Sequence, residues 1–403
     1  MTSTVMFNPF APTYCANPYP HLAELRAADP VHQHPIGFWL LTRHEDINAV
    51  LRSGMSVELR NLADGALRQG RQEAVGDDQW EGAELSMLDR DPPDHTRLRR
   101  LVSKAFNRRA VAALESRVVR FVDDALDRIA EAGAVNLISA LAFPLPFTVI
   151  SDMLGMPPSI EGLRVRELSG TVVRSVEPGN NPDLQQAIDS ANRELAKLAA
   201  EAVAWKRENP GDDLLTALIE AEDQGDVLND DELVAQIVLL LIGGHETTVN
   251  LLGNGTLALL RNPDQLALLR SQPDLIENAV EELLRYDAPV QISKRITTEP
   301  YPLRDKVIPA GSFVLNHVAA AGRDDLVFGA DADQLRLDRP DARNHMSFGA
   351  GVHHCIGAVL ARMEGRVAIG RLVERFPRLR LTGEPSWNGR ITLRGMTELP
   401  VAV

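Results

Sequence analysis

The stretch Phe348-Gly349-Ala350-Gly351-Val352-His353-His354-Cys355-Ile356-Gly357 carries the strongest chemical signal in the chain. Three glycines at 349, 351 and 357 let the backbone turn tightly and approach a flat ligand closely. Cys355 is placed where a helical pattern begins. The positive helix end and its free N–H groups favour thiolate over thiol there. Cys355 and Cys15 are the chain's two cysteines and form no CxxC, which argues against a disulfide framework and for a reducing compartment. A buried, inert cysteine in a glycine-rich turn is the plain alternative. A zinc site from His345, His353, His354 and Cys355 is another, but three adjacent ligands suit zinc poorly.

A second constellation is Gly243-Gly244-His245-Glu246-Thr247-Thr248, directly after the apolar run 237–242. Two glycines inside a helix cost roughly 1 kcal/mol each relative to alanine. A helix that gives up propensity and then offers a carboxylate and two hydroxyls reads as a site. Thr247, one turn after Gly243, shares its face. Two further pairs have helical spacing. Glu282 and Arg285 stand at i and i+3, and His95 and Arg99 at i and i+4.

Taken together, these segments resemble the cytochrome P450 family. The decapeptide matches that family's haem-binding signature F-G-x-G-x-H-x-C-x-G at every specified position. The 243–248 segment resembles its oxygen-activation motif, and Glu282-Leu283-Leu284-Arg285 its ExxR. The resemblance implies haem b with Cys355 as the axial thiolate ligand, which favours O–O cleavage. It implies that Thr247 holds dioxygen while Glu246 relays protons. It assigns His95, Arg99, Arg295 and His353 to the haem propionates, and Gly243, Phe348 and Gly357 to the haem's surroundings. Arg339 becomes the third member of a structural network with Glu282 and Arg285. The resemblance runs over nearly the whole chain, and one departure is Ala321-Gly322-Arg323-Asp324, where bacterial members commonly read A-N-R-D.

These residues must be positioned by a mainly α fold with small β-sheets, the fold the resemblance implies. The chain has 403 residues, 44% hydrophobic and only 5% aromatic, with long apolar-periodic stretches. Helices are expected at 21–28, 93–105, 111–132, 141–154 and 184–207. A helix over 232–261, roughly 45 Å long, is capped by Asn229-Asp230-Asp231 and stopped by Asn262-Pro263. Pro273 opens another, and a last one is expected at 355–374. Strands are expected at 38–42, 290–297, 312–318 and 391–394. Because residues from His95 to Cys355 must surround one cofactor, a single domain spanning 1–403 is expected. The substrate pocket is expected from 56–88, 169–182, 239–243 and 290–292, which lean apolar.

A net charge of -14 argues against nucleic-acid binding. The N-terminus lacks a signal-peptide pattern and the apolar run 233–242 is too short to span a bilayer, so a soluble cytoplasmic protein is expected; a monomer is expected as well. Against that acidic background, Arg97, Arg99, Arg100, Lys104, Arg108 and Arg109 form a basic run. Such a run is most often a solvated face. In this family it implies docking of a ferredoxin- or flavodoxin-type electron donor near Arg100, Lys104 and Arg108. The activity implied is a monooxygenation of a hydrophobic small molecule. A peroxide-using or atypical enzyme of the family, and a non-catalytic haem sensor or carrier, are the alternatives.

Overall fold

A computed structural model describes residues 5–11, 13–65, 67–69, 85–178, 182–223 and 225–403. Helices dominate and the sheets are small. The chain groups into two compact units, neither continuous in sequence: Met1–Arg68 with Val122–Ala142 and Thr247–Val403, and Gln69–Phe121 with Phe143–Glu246.

The first unit contains the larger sheet. Its strands lie in the order Val31–Gln33, Trp39–Leu41, Phe313–Asn316, Ser293–Ile296. The outer pairings are antiparallel, with Val31 opposite Leu41 and Ser293 opposite Asn316. The central one is parallel, with Trp39 opposite Val314. One face buries Val31, Trp39, Ile47 and Val314 together with Met346 and Ala350. The stem of the cysteine loop is therefore rooted in a packed core. The helix Ile276–Tyr286 packs beside the helix Ala358–Arg375, which follows the cysteine. Gly365 permits close contact: a Cβ there would stand 3.2 Å from Leu251 and 3.3 Å from Val280.

The second unit is a helical assembly of Asp94–Ala105, Pro144–Leu154, Gly162–Val172, Pro182–Glu208, Leu214–Ile219 and Asp230–Gly243, with a short hairpin, Glu222–Asp223 and Asp226–Val227. Asn229 and Glu232 cap the Asp230–Gly243 helix reciprocally, satisfying two N–H groups that a helix start leaves open.

Several expectations need correction. The helix expected over 232–261 is interrupted: it runs as Asp230–Gly243, turns at Gly244 and His245, and resumes as Glu246–Arg261. As a whole this stretch is long and apolar enough to cross a membrane, but 67% of its most apolar window is buried, as in a core helix. The last helix starts at Ala358, not Cys355, because Gly349 and Gly351 (φ of 69° and 70°) hold the cysteine segment in a loop. Residues 391–394 form no strand. Leu393 makes one isolated bridge to Val290, and the Arg394 guanidinium is drawn onto Asp287 at 3.0 Å. The helix Gly162–Val172 has no counterpart in the sequence reading. Of the expected pocket segments, residues 66, 70–84 and 179–181 lie outside the described residues.

Candidate functional site

The cysteine loop is shaped by its glycines and by backbone hydrogen bonds within it. Gly351 lies so close to the Leu51–Arg52 backbone that a Cβ would stand 2.3 Å from the Leu51 carbonyl oxygen. The Cys355 N–H donates to the Phe348 carbonyl at 2.9 Å, closing the loop. Two residues after the cysteine, Gly357 precedes the Ala358–Arg375 helix, and a Cβ there would stand 3.8 Å from Cys355 Sγ. Cys355 is exposed, unlike a packing cysteine, and stands just ahead of the electropositive end of an 18-residue helix. Phe348, His353 and Gly357 are half-buried around it.

In the same unit, Arg295 is 5% exposed on the strand Ser293–Ile296 and donates to the Lys294 carbonyl at 2.7 Å and to Ser293 Oγ at 3.3 Å. The expected structural triad is assembled. Arg285 is fully buried and grips Glu282 with two N–H groups, at 2.6 and 2.7 Å, while donating to the carbonyls of Gly322, Ala332 and Gln334. Arg339 reaches Glu282 at 3.3 Å and the Phe328 carbonyl at 2.7 Å. A planar, fork-shaped cation with every donor occupied is what keeps such a pair tolerable away from water. Thr247 is half-buried in the first turn of Glu246–Arg261.

In the second unit, Gly243 ends its helix in open space: a Cβ there would meet nothing within 4 Å. Gly244, by contrast, is pressed on the Leu240 carbonyl, where a Cβ would stand 3.0 Å away, and on Ile150. His245 then explains the interruption. Its ring lies edge-on to Phe143 and Phe147, at 4.3 and 5.5 Å between centroids, and its Nε2 meets the Phe143 carbonyl at 3.3 Å. Burial lowers its pKa to about 4, against the pull of that carbonyl and helped by the nearby Arg166 charge. The neutral ring therefore donates Nε2–H, and the turn is pinned where Glu246 begins the next helix.

His95 is 2% exposed on Asp94–Ala105, and Arg99 is half-buried one turn on. The basic run is less bare than its sequence suggests. Arg97 pairs with Asp226 at 3.2 Å and with Glu232. Arg100 and Lys104 both reach Asp223, at 2.9 and 2.8 Å, and remain half-exposed. Arg108 is exposed.

Two ionisable groups, Glu364 and Glu281, have no counterpart in the sequence motifs, and His345 figures there only as a zinc candidate. Glu364, on the cysteine's own helix, is 1% exposed, and burial raises its pKa to about 8, against a hydrogen bond with Thr248. Glu281 and His345 form a buried pair joined at 3.0 Å. A signal for Glu364 was present: it lies on the apolar stripe of Leu360, Met363, Val367 and Ala368.

The donor set fits a flat, thiolate-ligated group. Within the first unit, an accessible cysteine in a glycine-lined loop and the buried Arg295 are the kinds of donor that a thiolate-ligated group with anionic propionates needs. The family model described as Cytochrome P450 matches residues 179–387. Cytochrome P450 107B1 of Saccharopolyspora erythraea is 43% identical over 377 residues, covering 90% of this chain and 88% of that one. The 6-deoxyerythronolide B hydroxylase of the same organism is 37% identical, with 95% of each chain covered. A crystal structure of P450BioI in complex with an acyl carrier protein ligated to hexadec-9Z-enoic acid superposes with a TM-score of 0.89 at 30% identity, over 98% of this chain and 100% of that one.

The chain belongs to the cytochrome P450 family. It is a haem-thiolate monooxygenase that inserts one oxygen atom from dioxygen into a hydrophobic small molecule, using electrons from a redox partner. Its cofactor is protoporphyrin IX haem iron, which supplies the oxygen-activating chemistry.

Proposed function

We propose that Cys355 is the residue whose sulfur would hold the haem iron and that the whole chain, 1–403, works as one domain around one haem. The accessible Cys355 thiol, in a loop closed by its own N–H to the Phe348 carbonyl, carries this reading. Helix-end N–H groups hold its sulfur as thiolate. His95, Arg99, Arg295 and His353 hold the propionates, with Gly243, Phe348 and Gly357 against the ring. Glu246 would take protons from water and hand them to Thr247 Oγ1, and Thr247 would hold them ready for the dioxygen chemistry that the haem supplies when bound. His245 keeps the turn that presents this pair.

A ferredoxin- or flavodoxin-type donor docks on the exposed parts of Arg100, Lys104 and Arg108. Asp223 already shares two of these cations, so Arg108 should carry the most steering. Arg108→Glu should slow reduction of the haem by the donor, most at low salt; an unchanged rate would place docking elsewhere. The protein acts as a cytoplasmic monomer. Leu239–Gly243 and Val290–Ile292 are apolar-leaning pocket walls, and 6-deoxyerythronolide B, the compound in one relative's name, is the first to screen for a substrate-induced spectral shift.

The deciding experiment is Thr247→Ala in the holoenzyme. Haem content and substrate binding should persist while reducing equivalents appear as hydrogen peroxide. Unchanged coupling would remove Thr247 from proton delivery. Turnover that needs added peroxide and ignores reduced donor would instead favour a peroxide-using enzyme.

A further inference from the structure

The cysteine loop is braced from behind by a buried carboxylate next door to the ExxR glutamate. Glu282 turns toward Arg285, and Glu281 turns the other way. Glu281 Oε2 lies 3.0 Å from His345 Nε2, and its Oε1 accepts from Arg362 Nε at 2.8 Å. A second Arg362 nitrogen donates to Oε2 at 3.1 Å, making the pair bidentate. Arg343 approaches from the surface at 3.6 Å. The His345 tautomer is fixed, because its Nδ1 accepts the Ser347 N–H at 3.1 Å. Nε2 therefore carries the hydrogen and donates to Glu281. Burial keeps His345 neutral, against the attraction of Glu281.

Both partners of Glu281 bear on one ring. The Arg362 guanidinium carbon stands 4.4 Å above the Phe348 centroid, and the His345 ring is 5.7 Å from it. Ser347, between them, donates to the Leu284 carbonyl at 2.7 Å and ties the segment to the Ile276–Tyr286 helix. Phe348 in turn supplies the carbonyl that receives the Cys355 N–H. One carboxylate thus sets the position of the residue bonded to the cysteine backbone. It also offsets the cation nearest to that residue. Burial alone would raise the Glu281 pKa, yet hydrogen bonds from His345 and Arg362 bring it down to about 2, so it is ionised throughout the working range.

We propose that Glu281 is a positioning residue for the Cys355 loop: through His345 and Arg362 it fixes Phe348, and it sets how much positive charge the cysteine sulfur experiences. This rests on Cys355 being the haem ligand. A thiolate beside an uncompensated cation donates less to iron, and the reduced state gains; a thiolate beside an uncompensated carboxylate donates more. The two halves of the pair therefore have opposite effects on the haem reduction potential. Loss of packing alone would not separate them by sign.

The test is redox titration of the haem-loaded enzyme and its Glu281→Gln, Arg362→Gln, Arg362→Lys and doubly substituted Gln/Gln variants, each checked by its ferrous–CO spectrum. Glu281→Gln should raise the potential, Arg362→Gln should lower it, and the double variant should return toward wild type. Arg362→Lys, which keeps the charge, should stay closer to wild type than Arg362→Gln. Should Glu281→Gln fail to retain haem, the two Arg362 variants decide alone: a lowered potential in Gln but not Lys upholds the proposal. Potentials that do not move, or that move the same way in both single variants, overturn it. A wild-type ferrous–CO band without the thiolate position would instead refute ligation by Cys355, a separate failure.

Discussion

Replacing Glu364 by glutamine should make the protein gain stability relative to wild type as pH rises. The Glu364 carboxyl is buried on the cysteine's helix beside Thr248, and its Oε1 meets no hydrogen-bonding atom among the described residues. Burial, opposed by the Thr248 hydrogen bond, raises its pKa from 4.5 to about 8. Between those values the folded protein holds a proton that the unfolded chain has released. The stabilising contribution is complete below the unfolded value and is lost as pH rises through the folded one. Each pH unit in this window costs wild type about 1.4 kcal/mol. Glutamine keeps the shape and carries no such cost. Urea unfolding of both haem-loaded proteins, followed by circular dichroism, should show the variant gaining about 2 to 3 kcal/mol on wild type between pH 5.5 and 7.5. Parallel pH curves would refute the neutral buried acid. A variant that loses ground with rising pH would reverse its sign.

Gly351→Ala should abolish haem retention, because its Cβ would meet the Leu51 carbonyl at 2.3 Å in a left-handed turn. The ratio of haem to protein absorbance in purified material measures this, and a normal ratio would contradict the loop geometry. Gly243→Ala makes the contrast: a Cβ there would meet no protein atom within 4 Å, so the chain should still fold. Its substrate-induced spectral shift should change, because the proposal sets Gly243 against the haem. Arg285→Lys keeps a charge but loses the fork that grips Glu282 and three carbonyls. Such a loss in a buried pair should cost about 3 kcal/mol or more. An unchanged urea midpoint would show that the network does not hold the fold.

What could be read from sequence was chemistry carried by neighbouring residues. The Cys355 loop is legible because its tight turns, its cysteine and the helix that follows at Ala358 lie close together in sequence. Glu282 and Arg285 are legible because i and i+3 share a helix face. The Glu281–His345 and Glu281–Arg362 contacts join positions 64 and 81 residues apart, so no local pattern announces them. The interruption at Gly244 and His245 was half visible. The glycines marked a weak point, but the force that breaks the helix is a contact between His245 and Phe143 across 102 residues. Residues 391–394 alternate like a strand, yet Arg394 is claimed by Asp287, and tertiary pairing overrides the pattern.

The proposed bond from Cys355 sulfur to haem iron is measured directly by the ferrous–CO spectrum. The purified protein should show the red-shifted Soret band of a thiolate ligand, and Cys355→His should lose that shift while still binding haem. A wild-type band without the shift, or a Cys355→His variant that keeps it, would contradict the assignment.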